Sequence, residues 1–140
     1  MKKITLVLLL LVPQILLAEA QNNSLYEGEA LFKQYCASCH GDLPGIDMSK
    51  RPGPPMFMVK RHYIGTYPDE MTFVNAVADW VEKREISMSL MPGAIRRYNL
   101  MPPILVERNK VEKIAAYIFY SPMNLPASFE QHYKRQHRLN

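Results

Sequence analysis

Apolar residues crowd the first eighteen positions of the chain. Ile4 to Ala18 is a nearly continuous apolar run, broken by Pro13 and Gln14 and preceded by Lys2 and Lys3. It ends in Ala18-Glu19-Ala20, the small-x-small pattern that signal peptidases cut. The run is shorter than the roughly 20 apolar residues that a bilayer span needs. The pattern predicts an export leader, residues 1–20, cleaved after Ala20, and a domain over residues 21–140. The alternative is an uncleaved N-terminal anchor. No later stretch is apolar enough to span a membrane, and no cysteine follows the cut to carry a lipid.

Past the leader the apolar positions follow the helical period. Leu25, Gly28, Leu31, Phe32 and Tyr35 share one helical face, and Ser24-Leu25-Tyr26-Glu27 is a capping box that predicts a helix starting at Leu25. A second helix is expected from Asp69 to Arg84, with Phe73, Val77, Trp80 and Val81 on one face. Asn109-Lys110-Val111-Glu112 is a further capping pattern with Asn109 in the cap position. Val111, Ile114, Ala115 and Ile118 line the face that follows, Tyr117 lies at its edge, and Pro122 ends it. No segment alternates in the strand period, so the expected class is all-α. Gly28 inside a helix costs about 1 kcal/mol against alanine. Close approach by another helix is the expected compensation.

Composition narrows this picture. The chain has 140 residues, 48% of them apolar and 21% charged, ordinary values for one folded domain. Eleven prolines exclude one long bundle and predict short helices joined by stiff loops. Removing Lys2, Lys3 and Glu19 from 17 basic and 13 acidic residues leaves a balance of +3. That charge is too small and too scattered to indicate nucleic acid. Two cysteines rule out a disulfide framework and a four-cysteine zinc site. No glycine-rich phosphate loop is present.

The two cysteines carry the chemistry. Cys36-Ala37-Ser38-Cys39-His40 reads C-x-x-C-H, the pattern of covalent haem attachment. Two thiols on one helical turn can each add to one vinyl group of a haem. The adjacent His40 then offers an imidazole nitrogen to the iron. Covalent tethering suits an exported protein, which would otherwise lose its haem. Three other uses of these residues stay open. A thioredoxin-like redox pair needs a strand-helix context that is not visible. A zinc site needs a fourth ligand, for which His62 is a candidate. A plain disulfide between Cys36 and Cys39 is chemically possible outside the cytoplasm.

With the motif in place, the chain resembles the class I c-type cytochromes over essentially the whole of residues 21–140. Gly28-Glu-Ala-Leu-Phe32-Lys-Gln-Tyr-Cys36 is similar to that family's first helix, with its glycine eight residues before the first haem cysteine. Ile114-Ala-Ala-Tyr117-Ile118 is similar to its last helix. The resemblance implies a cytochrome c-like fold of short helices around one covalent haem c, held through Cys36, Cys39 and His40. It also implies that the first and last helices cross at the glycine.

A methionine thioether is a common second axial ligand and raises the reduction potential. Most methionines serve as core filler, and Met56 and Met58 follow the motif too soon. Two Met-Pro steps stand out, Met91-Pro92 and Met101-Pro102, each with a proline to stiffen its loop. The family's ligand lies in a loop just before the last helix, which implies Met101, with Met91 as runner-up. Met88 and His62 are the remaining candidates. The family also hydrogen-bonds its axial histidine to a proline carbonyl in a Gly-Pro step. Gly53-Pro54 is the similar step here, so Pro54 is the implied acceptor; an ordinary proline-rich loop is the other account of it.

Arg61, His62, Tyr63, Tyr67 and Trp80 lie where donors to the haem propionates are expected. Arg96 and Arg97 either flank the haem edge or face water. From Phe129 on, the last ten or so residues, with His132, Lys134, Arg135, His137 and Arg138, are expected to be a frayed basic tail; steering toward an acidic partner is its functional alternative. The resemblance implies a periplasmic single-electron carrier, not an enzyme, docking acidic patches on donor and acceptor redox proteins. Two alternatives remain: a fixed electron-transfer subunit of a larger dehydrogenase or reductase, and a haem sensor that binds a small ligand.

Overall fold

The computed structural model describes residues 22–42, 47–123 and 126–137. The expected leader, residues 1–20, and its cleavage point lie outside the described residues, as does Arg138 in the tail. The protein is all-helical: α1 (22–35), α2 (Ala37–His40), α3 (Met56–Thr66), α4 (Glu70–Lys83), α5 (Pro92–Tyr98), α6 (Arg108–Tyr120) and α7 (Ala127–His137). Short 3-10 turns occur at Met48–Lys50 and Ile86–Met88. Among the described residues there is no strand, and no helix is long and apolar enough to cross a membrane.

The centre of the fold is the pair α4 and α6, with α3 packed against both. Phe73 of α4 is fully buried, and Ile114 and Ile118 of α6 join it in one cluster with Phe32 and Tyr63. Aromatic edges link the elements: Phe73 meets Phe119 at 5.4 Å and Tyr63 at 6.4 Å between ring centroids. Such tilted and edge-on pairs add about 0.5–1.5 kcal/mol beyond their burial.

Gly28 is buried where α1 meets α6. A Cβ there would run into the Lys113 carbonyl oxygen and lie 2.8 Å from the Tyr117 Cβ. The helical cost of the glycine is therefore met by a backbone-to-backbone approach that no larger residue allows.

Two helix starts differ from the local signals. Residue 22 is already helical, so Ser24 lies inside α1 and does not cap it. The last long helix begins at Arg108 with Glu107 as its cap, which places Asn109 inside the first turn. The reason is tertiary. Arg108 reaches Asp79 and Glu82 of α4, each at 2.8 Å, and Glu112 of its own helix at 3.0 Å. A three-carboxylate network favours a start two residues earlier. By contrast α4 starts as its sequence says, with the Asp69 carboxylate accepting from the Thr72 N–H at 3.0 Å. It ends on Arg84, which turns left-handed at φ 49°.

The basic tail needs correction. Residues 127–137 form α7, which packs on α3: Phe129 meets Phe57 at 5.3 Å, and Tyr133 is buried beside His62 and under the Arg61 guanidinium. Phe129 and Tyr133 stand four residues apart, so their rings share one helical face inside a segment whose overall composition is basic.

Lys60 fastens α3 to the end of α6. Its ammonium donates to the Phe119 and Ser121 carbonyls at 2.8 and 2.7 Å, carbonyls that a helix end leaves without intrahelical partners. Lys60→Met is expected to lower stability by about 2 kcal/mol, the scale of losing charge-assisted bonds. A denaturant titration checks this. An unchanged midpoint would mean that water caps α6 equally well.

Candidate functional site

The chemistry sits on α2, a single turn. Cys36 is its cap residue, Cys39 and His40 lie within it, and the His40 N–H bonds the Cys36 carbonyl at 2.9 Å. Helical spacing puts positions 36 and 39 on one side of that turn. Gly41 stops the helix in extended conformation.

The loop that returns from residue 51 to residue 55 lies flat against this turn. Gly53 is buried there, and a Cβ on it would sit 3.3 Å from His40 Cε1 and 3.5 Å from the Cys39 carbonyl. The next residue supplies the decisive contact: His40 Nδ1 donates to the Pro54 carbonyl oxygen at 2.7 Å. A carbonyl only accepts, so the proton must be on Nδ1 and Nε2 keeps its lone pair. Burial lowers the proton affinity of the ring; the Pro54 bond opposes this and the Arg51 charge adds to it. The net result is an oriented, neutral imidazole with one nitrogen able to bind a metal.

Cys36, Cys39 and His40 open into one cleft with predominantly apolar walls. Met56 and Tyr63 of α3, Phe73 and Trp80 of α4, and Ile114 and Ile118 of α6 contribute to its walls. Met91 and Met101 also line it, with Tyr98 and Asn99 between them. Among the described residues, no Lys, Arg, Asp or Glu lines the cleft.

Several sequence expectations separate here. The cleft collects Cys36, Cys39, His40, Pro54 and both Met-Pro methionines. Of the expected propionate donors, Tyr63 and Trp80 line it, whereas Arg61, His62 and Tyr67 do not. Arg61 and His62 face α7 instead. Arg96 and Arg97 are exposed. The two Met-Pro steps are also different structures. Pro92 is the first residue of α5, and Met91 is its cap. Met101-Pro102 lies on the irregular stretch between α5 and α6. Asn99, Tyr98 and Ser89 of the lining carry no sequence signal beyond loop composition. Arg51, buried behind the motif, has none either.

The geometry also weighs the other uses of the cysteines. They are free thiols. Burial, with Cys39 nearby, pushes the Cys36 thiol up to about 11, the opposite of the lowered value that makes a redox cysteine reactive. Among the described residues no three His, Cys, Asp or Glu side chains converge as a metal site of that type requires.

The fold and cleft thus define an all-helical protein with a paired-thiol and imidazole site inside an apolar pocket. In sequence the chain is similar to an uncharacterized protein of Aquifex aeolicus (strain VF5), 26% identical over 152 aligned positions that cover 98% of this chain and 97% of the relative. No family model and no solved structure matches the chain.

Proposed function

We propose that the protein is a periplasmic monohaem cytochrome c that carries single electrons between redox proteins. One observation carries this: His40, fixed by the Pro54 carbonyl with its Nε2 lone pair free, shares an apolar cleft with the Cys36 and Cys39 thiols and with Met101. The residues present suit a haem. Two thiols one turn apart match two vinyl groups, imidazole and thioether are iron ligands, and the uncharged lining suits a porphyrin face. A haem held there supplies a one-electron iron couple.

The chain's own residues do the rest. Cys36 and Cys39 would anchor the group covalently. His40 would hold the iron through Nε2, and Pro54 keeps the ring from turning. Met101 would supply a second ligand to the iron, leaving no site for a substrate, so the protein would act as a carrier and not as an enzyme. The apolar cleft walls would limit rearrangement of polar groups when the charge of the site changes. The leader would deliver the chain to the periplasm, where a covalent tether retains the group. The balance of +3 suits acidic docking patches on donor and acceptor.

A second reading, a fixed electron-transfer subunit of a larger dehydrogenase or reductase, draws on Leu105. It is 99% exposed on the loop that carries Met101, and Leu100 beside that methionine is also exposed. Exposed apolar residues at one place favour contact with a partner.

The test is an optical spectrum of the exported protein, together with Cys36→Ser/Cys39→Ser. Wild type is expected to show a c-type spectrum that carbon monoxide leaves unchanged, and to keep its pigment through denaturation. The double variant is expected to retain no covalent pigment. A wild type without pigment sinks the cofactor reading, and ready carbon monoxide binding moves it to a sensor.

A further inference from the structure

The loop behind His40 holds a cation that none of the foregoing uses. Arg51 is only 8% exposed, and it is the buried charged residue among those described. Its Nη2 donates to the carbonyl of Gly41, the residue after His40. Its Nε is buried with no acceptor, and none of the ion pairs among the described residues includes it. A guanidinium remains charged at any pH the protein meets. Burying one without a carboxylate is unfavourable. Holding one carbonyl does not require that, since a neutral glutamine can donate the same bond.

The charge makes sense in relation to what stands next to it. Arg51 lies three residues before the Pro54 carbonyl that orients His40, and it grips the residue that follows His40. The residue that follows His40 is therefore held directly by this guanidinium. Among the described residues, no Lys, Arg, Asp or Glu lines the cleft that His40 enters. Little there competes with the Arg51 field, and low local polarity weakens its screening.

Building on the haem reading, we propose that Arg51 raises, through its charge, the reduction potential of an iron held by His40. Ferric iron takes one electron from a one-electron donor, a redox protein in the cell or a dye mediator in a titration, and becomes ferrous. The net positive charge of the site falls by one unit. A fixed positive charge close by disfavours the ferric state more than the ferrous, so the equilibrium moves toward the reduced form. Charge and burial are among the factors that set haem potentials.

The experiment is a mediated spectroelectrochemical titration of the haem-loaded wild type, Arg51→Lys, Arg51→Gln and Arg51→Met. Arg51→Gln keeps a donor for Gly41 and loses the charge; Arg51→Lys keeps the charge. The two neutral variants are expected to shift the ferric-to-ferrous ratio about tenfold toward ferric at a given applied potential, a fall of about 59 mV for one electron. Arg51→Lys is expected to stay near wild type. Where Arg51→Met does not mature, the comparison of Arg51→Gln with Arg51→Lys decides. Equal falls in Lys and Gln would mean that the guanidinium acts as a strut and not through its charge, which overturns the proposal. So would unchanged potentials in all variants. A wild type without haem absorbance overturns the cofactor reading, and this inference with it, and is recognised before any variant is made.

Discussion

Met101→Ala is expected to turn a haem-loaded protein that ignores carbon monoxide into one that binds it, while Met91→Ala leaves that property unchanged. Both thioethers line the cleft, and both are followed by proline; the resemblance to the class I cytochromes implies Met101, with Met91 as runner-up. Their backbones differ. Met91 caps α5: its carbonyl accepts from Ala94 and Ile95 at 2.9 and 3.2 Å, and its N–H donates to Ser89 Oγ at 3.1 Å. That residue is committed to starting a helix. Met101 precedes Pro102 and Pro103 on a stretch without regular structure, where two fixed φ angles hold the chain extended and leave the side chain as the adjustable part. A ligand must meet the iron at a set distance, and the loop residue is better placed to do so. The methionine-to-iron band of the oxidised protein and the carbon monoxide difference spectrum read the outcome. If Met91→Ala opens the site instead, the ligand is Met91. If neither variant changes the spectrum, the closing ligand is neither of these two methionines, and the assignment passes to Met88 or His62.

Gly28→Ala is expected to destabilise the protein, against the ordinary preference of helices for alanine. Propensity alone predicts a gain of about 1 kcal/mol. The added Cβ, however, would strike the Lys113 carbonyl oxygen and approach the Tyr117 Cβ to 2.8 Å. One of these atoms is main chain and the other is the first side-chain carbon, so neither can swing aside. α1 must then move off α6, loosening the contact of Phe32 with Tyr117 at 5.8 Å and with the Ile114 and Ile118 cluster. Overpacking costs about 1–3 kcal/mol and sometimes more, and a contact this rigid belongs at the upper end. A net loss near 2 kcal/mol corresponds to about 6–12 °C in Tm for a domain of this size. Gly93→Ala is the control. Its Cβ meets only the end of Arg96 at 3.7 Å, so about 0.5 kcal/mol of stabilisation is expected. Thermal melts by circular dichroism compare the two; a higher Tm for Gly28→Ala would show that the helices do not meet as described.

How much of this was legible in the chain depends on the range of the interaction involved. Asp69 and Arg84 bound α4 because the cap and the apolar face are written in consecutive residues, and the structure follows them. The start of α6 was misread because Asn109 is a good local cap, while Arg108 answers to Asp79 and Glu82, more than twenty residues away. The tail was misread because basic composition hid the Phe129 and Tyr133 face, whose partners Phe57 and Arg61 lie on α3. α5 has no sequence signal of its own, because Pro92 suits a stiffened loop and the first residue of a helix equally well.

The sequence by itself determined the helical class and the spacing of Cys36, Cys39 and His40, because hydrophobic period and one-turn spacing are properties of neighbouring residues. It also marked Gly28 as a residue needing a close partner. Only the tertiary structure decided that the partner is Lys113 and Tyr117, that the Pro54 carbonyl sets the tautomer of His40, and that Arg51 is buried beside the site. Those contacts join residues far apart in the chain. Their energies come from packing, desolvation and fixed hydrogen-bond geometry, which exist only once the segments have met.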